Sequence, residues 1–133
     1  MISIENEYIK VGILEHGAEL CSYIDKKNNR EVIWDGDSAY WKRHSPVLFP
    51  SVGKIENGEF RLGEKTYNLS AHGFARDKKF QLVNKKNDTI TLELTADEET
   101  RKGYPFEFSL QVILTLKEKQ LTVTYKIINA ESN

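Results

Sequence analysis

Apolar and polar residues alternate along most of this chain, and the alternation has a period of two. Phe106, Phe108, Leu110, Val112, Leu114 and Leu116 fall on one face of a run whose other face carries Glu107, Ser109, Gln111 and Thr115. That is the pattern of a long antiparallel strand with one buried side. Ile90, Leu92 and Leu94 share a face in the same way, and residues 80–83 and 121–127 supply further strands, with polar connectors at 87–88 and 117–120. At the start of the chain, residues 2–4 and 9–13 alternate around Asn6-Glu7, which predicts an opening hairpin. Residues 18–24 read as a strand, followed by a polar turn at 26–30 and a further run at Val32-Ile33-Trp34 that Asp35-Gly36-Asp37 ends. One helix is expected, over 97–102, with Thr95 as its cap, Glu98 three residues on, and Gly103 and Pro105 as its stop. The prediction is an all-β protein, an antiparallel β-sandwich with one short connector helix, forming a single domain over residues 1–133.

The stretch from Ser45 to Asp77 breaks this rhythm. Pro46 and Pro50 fix their own φ angles and push the residues before them toward extended backbone, so Val47, Leu48 and Phe49 should form a short stiff segment ending at Gly53-Lys54. Asn57-Gly58, set between residues 54–56 and 59–61, is a strong hairpin signal, and residues 62–65 make a second turn. Gly73 then lets the backbone turn directly after His72, with Phe74 as an apolar anchor and Arg76 and Asp77 facing outward.

Composition narrows the options. Charged residues make up 29% and nearly cancel, for a formal charge of -1, so no overall field favours nucleic acid or an anionic membrane. No apolar run approaches the roughly 20 residues that span a bilayer. The single Cys21 has no internal disulfide partner and reads as a small buried apolar side chain, and no signal-peptide pattern opens the chain, so cytoplasmic residence is the expectation. No His or Cys cluster has metal-ligand spacing, and neither a phosphate-binding Gly-rich loop nor a Gly-x-Ser-x-Gly elbow is present. Neither a metal nor any other cofactor is expected.

Leu-Phe-Pro-Ser-Val-Gly-Lys at 48–54, followed by Gly58-Glu59-Phe60, Tyr67 and His-Gly-Phe-Ala-Arg at 72–76, resembles the aldose 1-epimerase (galactose mutarotase-like) family. Within it the match is nearest to the LacX-like and hexose-6-phosphate mutarotase relatives. Gly17-Ala18-Glu19-Leu20, Val32-Ile33-Trp34, Tyr40-Trp41, Tyr104-Pro105-Phe106 and residues 125–129 follow in the family's order, so the resemblance covers essentially the whole chain. It implies part of the large mutarotase supersandwich and interconversion of the α and β anomers of a hexose or hexose phosphate. It also implies that the catalytic acid, a His, and base, a Glu, lie beyond Asn133. This chain then resembles the N-terminal portion of a longer protein, with substrate-binding residues and no catalytic ones. A non-catalytic carbohydrate-binding β-sandwich and a purely structural sheet domain stand as alternatives.

The candidate site residues are His72, Arg76 and Lys54. A neutral imidazole both donates and accepts, which suits a sugar hydroxyl, although a His beside Gly in a turn can be structural. The resemblance places His72 in the sugar site. Arg76 offers a planar fork of donors for vicinal hydroxyls or a phosphate, against the alternative of an ion pair with Asp77. Lys54 stands where many relatives carry Arg and brings a point charge instead. His44 reads as a solvated loop residue that could reach the same cleft, and His16 as a turn residue. Trp34 is assigned to the core, and Trp41 could either be core or stack on a pyranose. Long strands with an uncovered edge or face predict homo-oligomers.

Overall fold

The computed structural model of the chain describes residues 1–132. Two four-stranded antiparallel sheets form the molecule. The first has the order β1-β2-β3-β4, from Ile2–Glu5, Ile9–Leu14, Glu19–Asp25 and Arg30–Glu31. The second has the order β10-β9-β8-β7, from Gln81–Lys85 (β7), Thr89–Thr95 (β8), Phe108–Lys117 (β9) and Gln120–Asn129 (β10). Between them in sequence lies a small hairpin of β5 (Glu59–Leu62) and β6 (Lys65–Asn68). Ile4, Ile9, Val11 and Ile13 from the first sheet and Ile90, Leu92, Leu110, Val112 and Leu114 from the second belong to one buried cluster. The two sheets therefore share a core, as the alternation requires. In β9 the buried and partly buried positions alternate without exception from Phe108 to Leu116.

Five local readings need correction. Asn57-Gly58 does turn the chain, with φ of 55° and 69°, but it closes a one-turn 3-10 helix at Glu56–Gly58 and not a hairpin. Residues 54–56 never become a strand; the hairpin turns instead at Leu62-Gly63-Glu64-Lys65. The fourth strand stops at Glu31, because the Glu31 carboxylate itself takes the backbone N–H groups of Tyr23, Val32 and Ile33. The helix α1 runs over Glu98–Gly103 and is capped by Asp97, not Thr95. Asp97 accepts from the Thr100 N–H at 2.7 Å while the Thr100 hydroxyl accepts from the Asp97 N–H at 2.9 Å, a reciprocal box that Thr95 is too far upstream to make. Finally, Trp34 is not core. It is 43% exposed, its indole N–H donates to the Trp41 carbonyl at 2.8 Å, and its ring meets Tyr40 edge-on. Trp41 is half exposed beside it, and Cys21 is only partly buried.

Candidate functional site

The two loops singled out in the sequence are stitched to each other by backbone hydrogen bonds. The Phe49 carbonyl accepts from Phe74 N–H at 2.9 Å and from Ala75 N–H at 3.2 Å. Four residues along, His72 N–H donates to the Gly53 carbonyl at 2.8 Å, and Gly53 N–H donates back to His72 Nδ1 at 3.0 Å. The approach is close enough that a Cβ on Gly73, whose φ is +70°, would sit 2.1 Å from the Phe49 carbonyl oxygen. Glycine is required there on both counts. His72 also has a positive φ, 67°. Behind the loops, Phe49 and Phe74 pack on Phe108 of β9 with ring centroids 5.2 and 5.9 Å away, so the loop pair is fastened to the core.

This clasp decides what His72 can do. With Nδ1 accepting from Gly53, the neutral ring carries its hydrogen on Nε2 and has that one donor left. The expectation that the imidazole both donates to and accepts from a ligand therefore narrows to donation. Lys54 follows Gly53 directly and is exposed, so the same clasp brings its backbone beside His72.

Arg76 lies one turn further on. Asp77, the alternative partner, is held mainly by Arg43, whose Nη2 donates to Asp77 Oδ1 at 2.7 Å; Arg76 Nε is 3.9 Å from Asp77 Oδ2 and makes no hydrogen bond. Arg76 Nη2 donates to the Ala71 carbonyl at 3.3 Å. Most of the guanidinium's donors thus stay uncommitted among the described residues. His72 and Arg76 are partly buried and Lys54 is exposed, and Arg76 Nε is buried without a hydrogen-bond partner among the described residues.

Sequence reasoning missed the braces of these loops. Glu19 is 5% exposed, and its Oε1 accepts from the His44 N–H at 2.5 Å and lies 2.9 Å from His44 Nδ1. A buried carboxylate is tolerated only when so satisfied. His44 is accordingly not a solvated loop residue: four-fifths of its side chain is covered, and it ties the start of the 46–54 loop to β3. Arg43 does the same for the other loop, since Nη1 also donates to the Arg76 carbonyl at 3.3 Å. A charged residue at the inward end of an alternating strand was the one available signal for Glu19. His16 sits in an isolated bridge with Lys79, in keeping with a turn role.

A sandwich of this topology with a Leu-Phe-Pro loop clasped to a His-Gly-Phe-Ala-Arg turn defines a mutarotase-like fold. The family model for aldose 1-epimerase matches residues 1–133, and the chain belongs to that family. A galactose mutarotase-like protein from Lactobacillus casei superposes with a TM-score of 0.95 at 45% identity, over 100% of this chain and 45% of that one. A galactose mutarotase related enzyme from Lactobacillus acidophilus gives 0.94 at 41% identity, over 96% of this chain and 43% of its own. The LacX protein of Lactococcus lactis is 29% identical over 136 residues, which cover 98% of this chain and 45% of LacX. The chain thus spans under half the length of these relatives. No helix among the described residues is long and apolar enough to cross a membrane.

Proposed function

We propose that residues 1–133 form the sugar-positioning part of an aldose 1-epimerase acting on a hexose or hexose phosphate. Mutarotation needs a base to take the anomeric hydroxyl proton and an acid to protonate the ring oxygen; the ring then opens to the carbonyl form and recloses on the other face. In this reading His72 donates its Nε2–H to a sugar oxygen, Arg76 holds vicinal hydroxyls or a phosphate with its fork, and Lys54 adds a charge at the rim. The acid and base come from residues outside these 133. The observation that carries the reading is the Gly53 to His72 Nδ1 hydrogen bond, which fixes the ring's tautomer and leaves a single directed donor. Residues 1–133 act as one domain, in the cytoplasm, without cofactor or metal, and self-associate.

Calorimetry on a version extended to the length of its relatives tests this with galactose, glucose and glucose 6-phosphate. His72→Ala should weaken sugar binding by about 1–3 kcal/mol, the range for a buried partner left unpaired. Arg76→Lys should weaken the phosphorylated sugar more than the free one, because the planar fork is lost. Unchanged affinity in both variants would overturn the assignment. Sugar binding without anomer exchange in the extended protein would favour a non-catalytic carbohydrate-binding module.

A further inference from the structure

A hollow of about 660 Å³ touches none of the loop residues above. It forms where three hairpin ends meet: the β1-β2 turn at Tyr8, the turn after β3 at residues 25–28, and the β9-β10 turn at Lys119. Two hydrogen bonds join the sheets here, from the Tyr23 hydroxyl to the Lys119 carbonyl at 2.7 Å and from Asn6 Nδ2 to the Glu118 carbonyl at 2.8 Å. The hollow is therefore framed by both sheets and not by one mobile turn. Its size falls within the ~300–1,000 Å³ of small-molecule sites.

The wall is apolar and aromatic, and the rim is polar. Tyr8 is 38% and Val32 59% exposed, more than apolar packing would leave, while Tyr23 and Ile9 form the floor. The charges around it cancel. Lys26 is committed to Glu5 at 2.7 Å and to the Asn6 carbonyl at 2.7 Å, which leaves Lys27 and Lys119 against Glu7 and Asp25. Asp25 is fixed by Asn28 Nδ2 at 2.6 Å and by the Lys27 N–H at 3.0 Å, so its carboxylate is aimed before any ligand arrives. Lys119 Nζ lies on the Tyr8 side of the hollow, 5.8 Å from the centroid of the Tyr8 ring. An anion or a cation would gain from one pair and be repelled by the other. A neutral molecule with an apolar face and both hydrogen-bond donors and acceptors on its edge matches all of these features.

We infer that the hollow between Tyr8, Tyr23, Asp25, Asn28 and Lys119 is a second carbohydrate site, taking a neutral pyranose stacked on Tyr8 with its hydroxyls on Asp25 and the lysines. This site is independent of the His72 loop and does not rest on that loop's role. The test is a titration of isotope-labelled chain with maltotriose, lactose and methyl α-mannoside, read by NMR shifts of backbone amides. At least one of these sugars is expected to give saturable shifts confined to residues 6–9, 23–28 and 118–120. Tyr8→Ala should weaken that sugar at least tenfold while leaving the rest of the spectrum in place. Lack of saturable shifts with all three sugars would overturn the inference. So would equal binding by phenyl phosphate that falls with added salt, which marks an anion site, or sugar-induced shifts that Tyr8→Ala does not reduce.

Discussion

Gly73 carries the tightest geometric demand in the chain, and it lies at the junction of the two loops rather than at any side chain that would touch a sugar. A methyl group there would meet the Phe49 carbonyl at 2.1 Å and Pro50 N at 2.6 Å, both backbone atoms that cannot swing aside. Gly73→Ala should therefore cost about 2–4 kcal/mol, the sum of a left-handed backbone penalty and a forced loop displacement, measured by urea unfolding. By contrast, Gly63→Ala faces open space and bears only the cost of its positive φ, so it should lose roughly 1 kcal/mol. Equal losses at the two sites would show that the loop clasp is slack. Of the residues named from sequence, His72 and Arg76 were visible because their motif is compact and bracketed by Gly and Phe. Glu19 and Arg43 were not, because their partners lie 25 and 33 to 34 residues away and only the folded chain shows the pairing.

At the level of single elements, strands were legible wherever one face is buried, since the period of two then has a physical cause. Phe108–Lys117 and Thr89–Thr95 are the clear instances. Asn57-Gly58 misled because its left-handed backbone serves equally well in a hairpin turn and in a 3-10 turn, and which forms depends on whether a partner strand follows. The helix shows the same ambiguity at its start. Asp97 sits closer to α1 than Thr95, and its carboxyl is held below the usual carboxylate range first by the Thr100 N–H and then by Lys78 Nζ at 3.0 Å. Asp97→Ala should destabilise the fold by about 1 kcal/mol near neutral pH, as removal of a cap does, whereas Thr95→Ala should leave α1 intact. The sign with pH follows from linkage. Because the folded carboxyl is the stronger acid, its stabilisation is complete above the unfolded value near pH ~4 and disappears as pH falls through the lower folded value. The difference between wild type and Asp97→Ala should shrink steadily below pH ~4; a gap independent of pH would assign the effect to something other than the carboxylate.

For the molecule as a whole, the most informative feature is the unfinished side of β10. Tyr125 and Ile127 stand in register with Val112 and Leu110, which are buried, yet they are 55% and 60% exposed. β10 is also the edge strand of its sheet. An edge of ten residues with apolar side chains on its core-facing side invites another strand. Two copies paired antiparallel about Tyr125 would set Val123 against Ile127 and continue the apolar row. Residues 1–133 are expected to sediment as dimers or larger assemblies, and Ile127→Lys should return them toward monomer. A monodisperse monomer before mutation would contradict this.

We propose that these residues position a sugar but do not move its protons. Polarimetry on freshly dissolved α-glucose and α-galactose, comparing residues 1–133 with a version extended through the length of the relatives, tests it most directly. General acid-base assistance is worth roughly 10²- to 10⁴-fold per group, so positioning alone should leave mutarotation near its spontaneous rate while the extended chain accelerates it. Rapid, saturable mutarotation by residues 1–133, abolished by replacing His44 or His72, would contradict the account and place the catalytic pair within this sandwich.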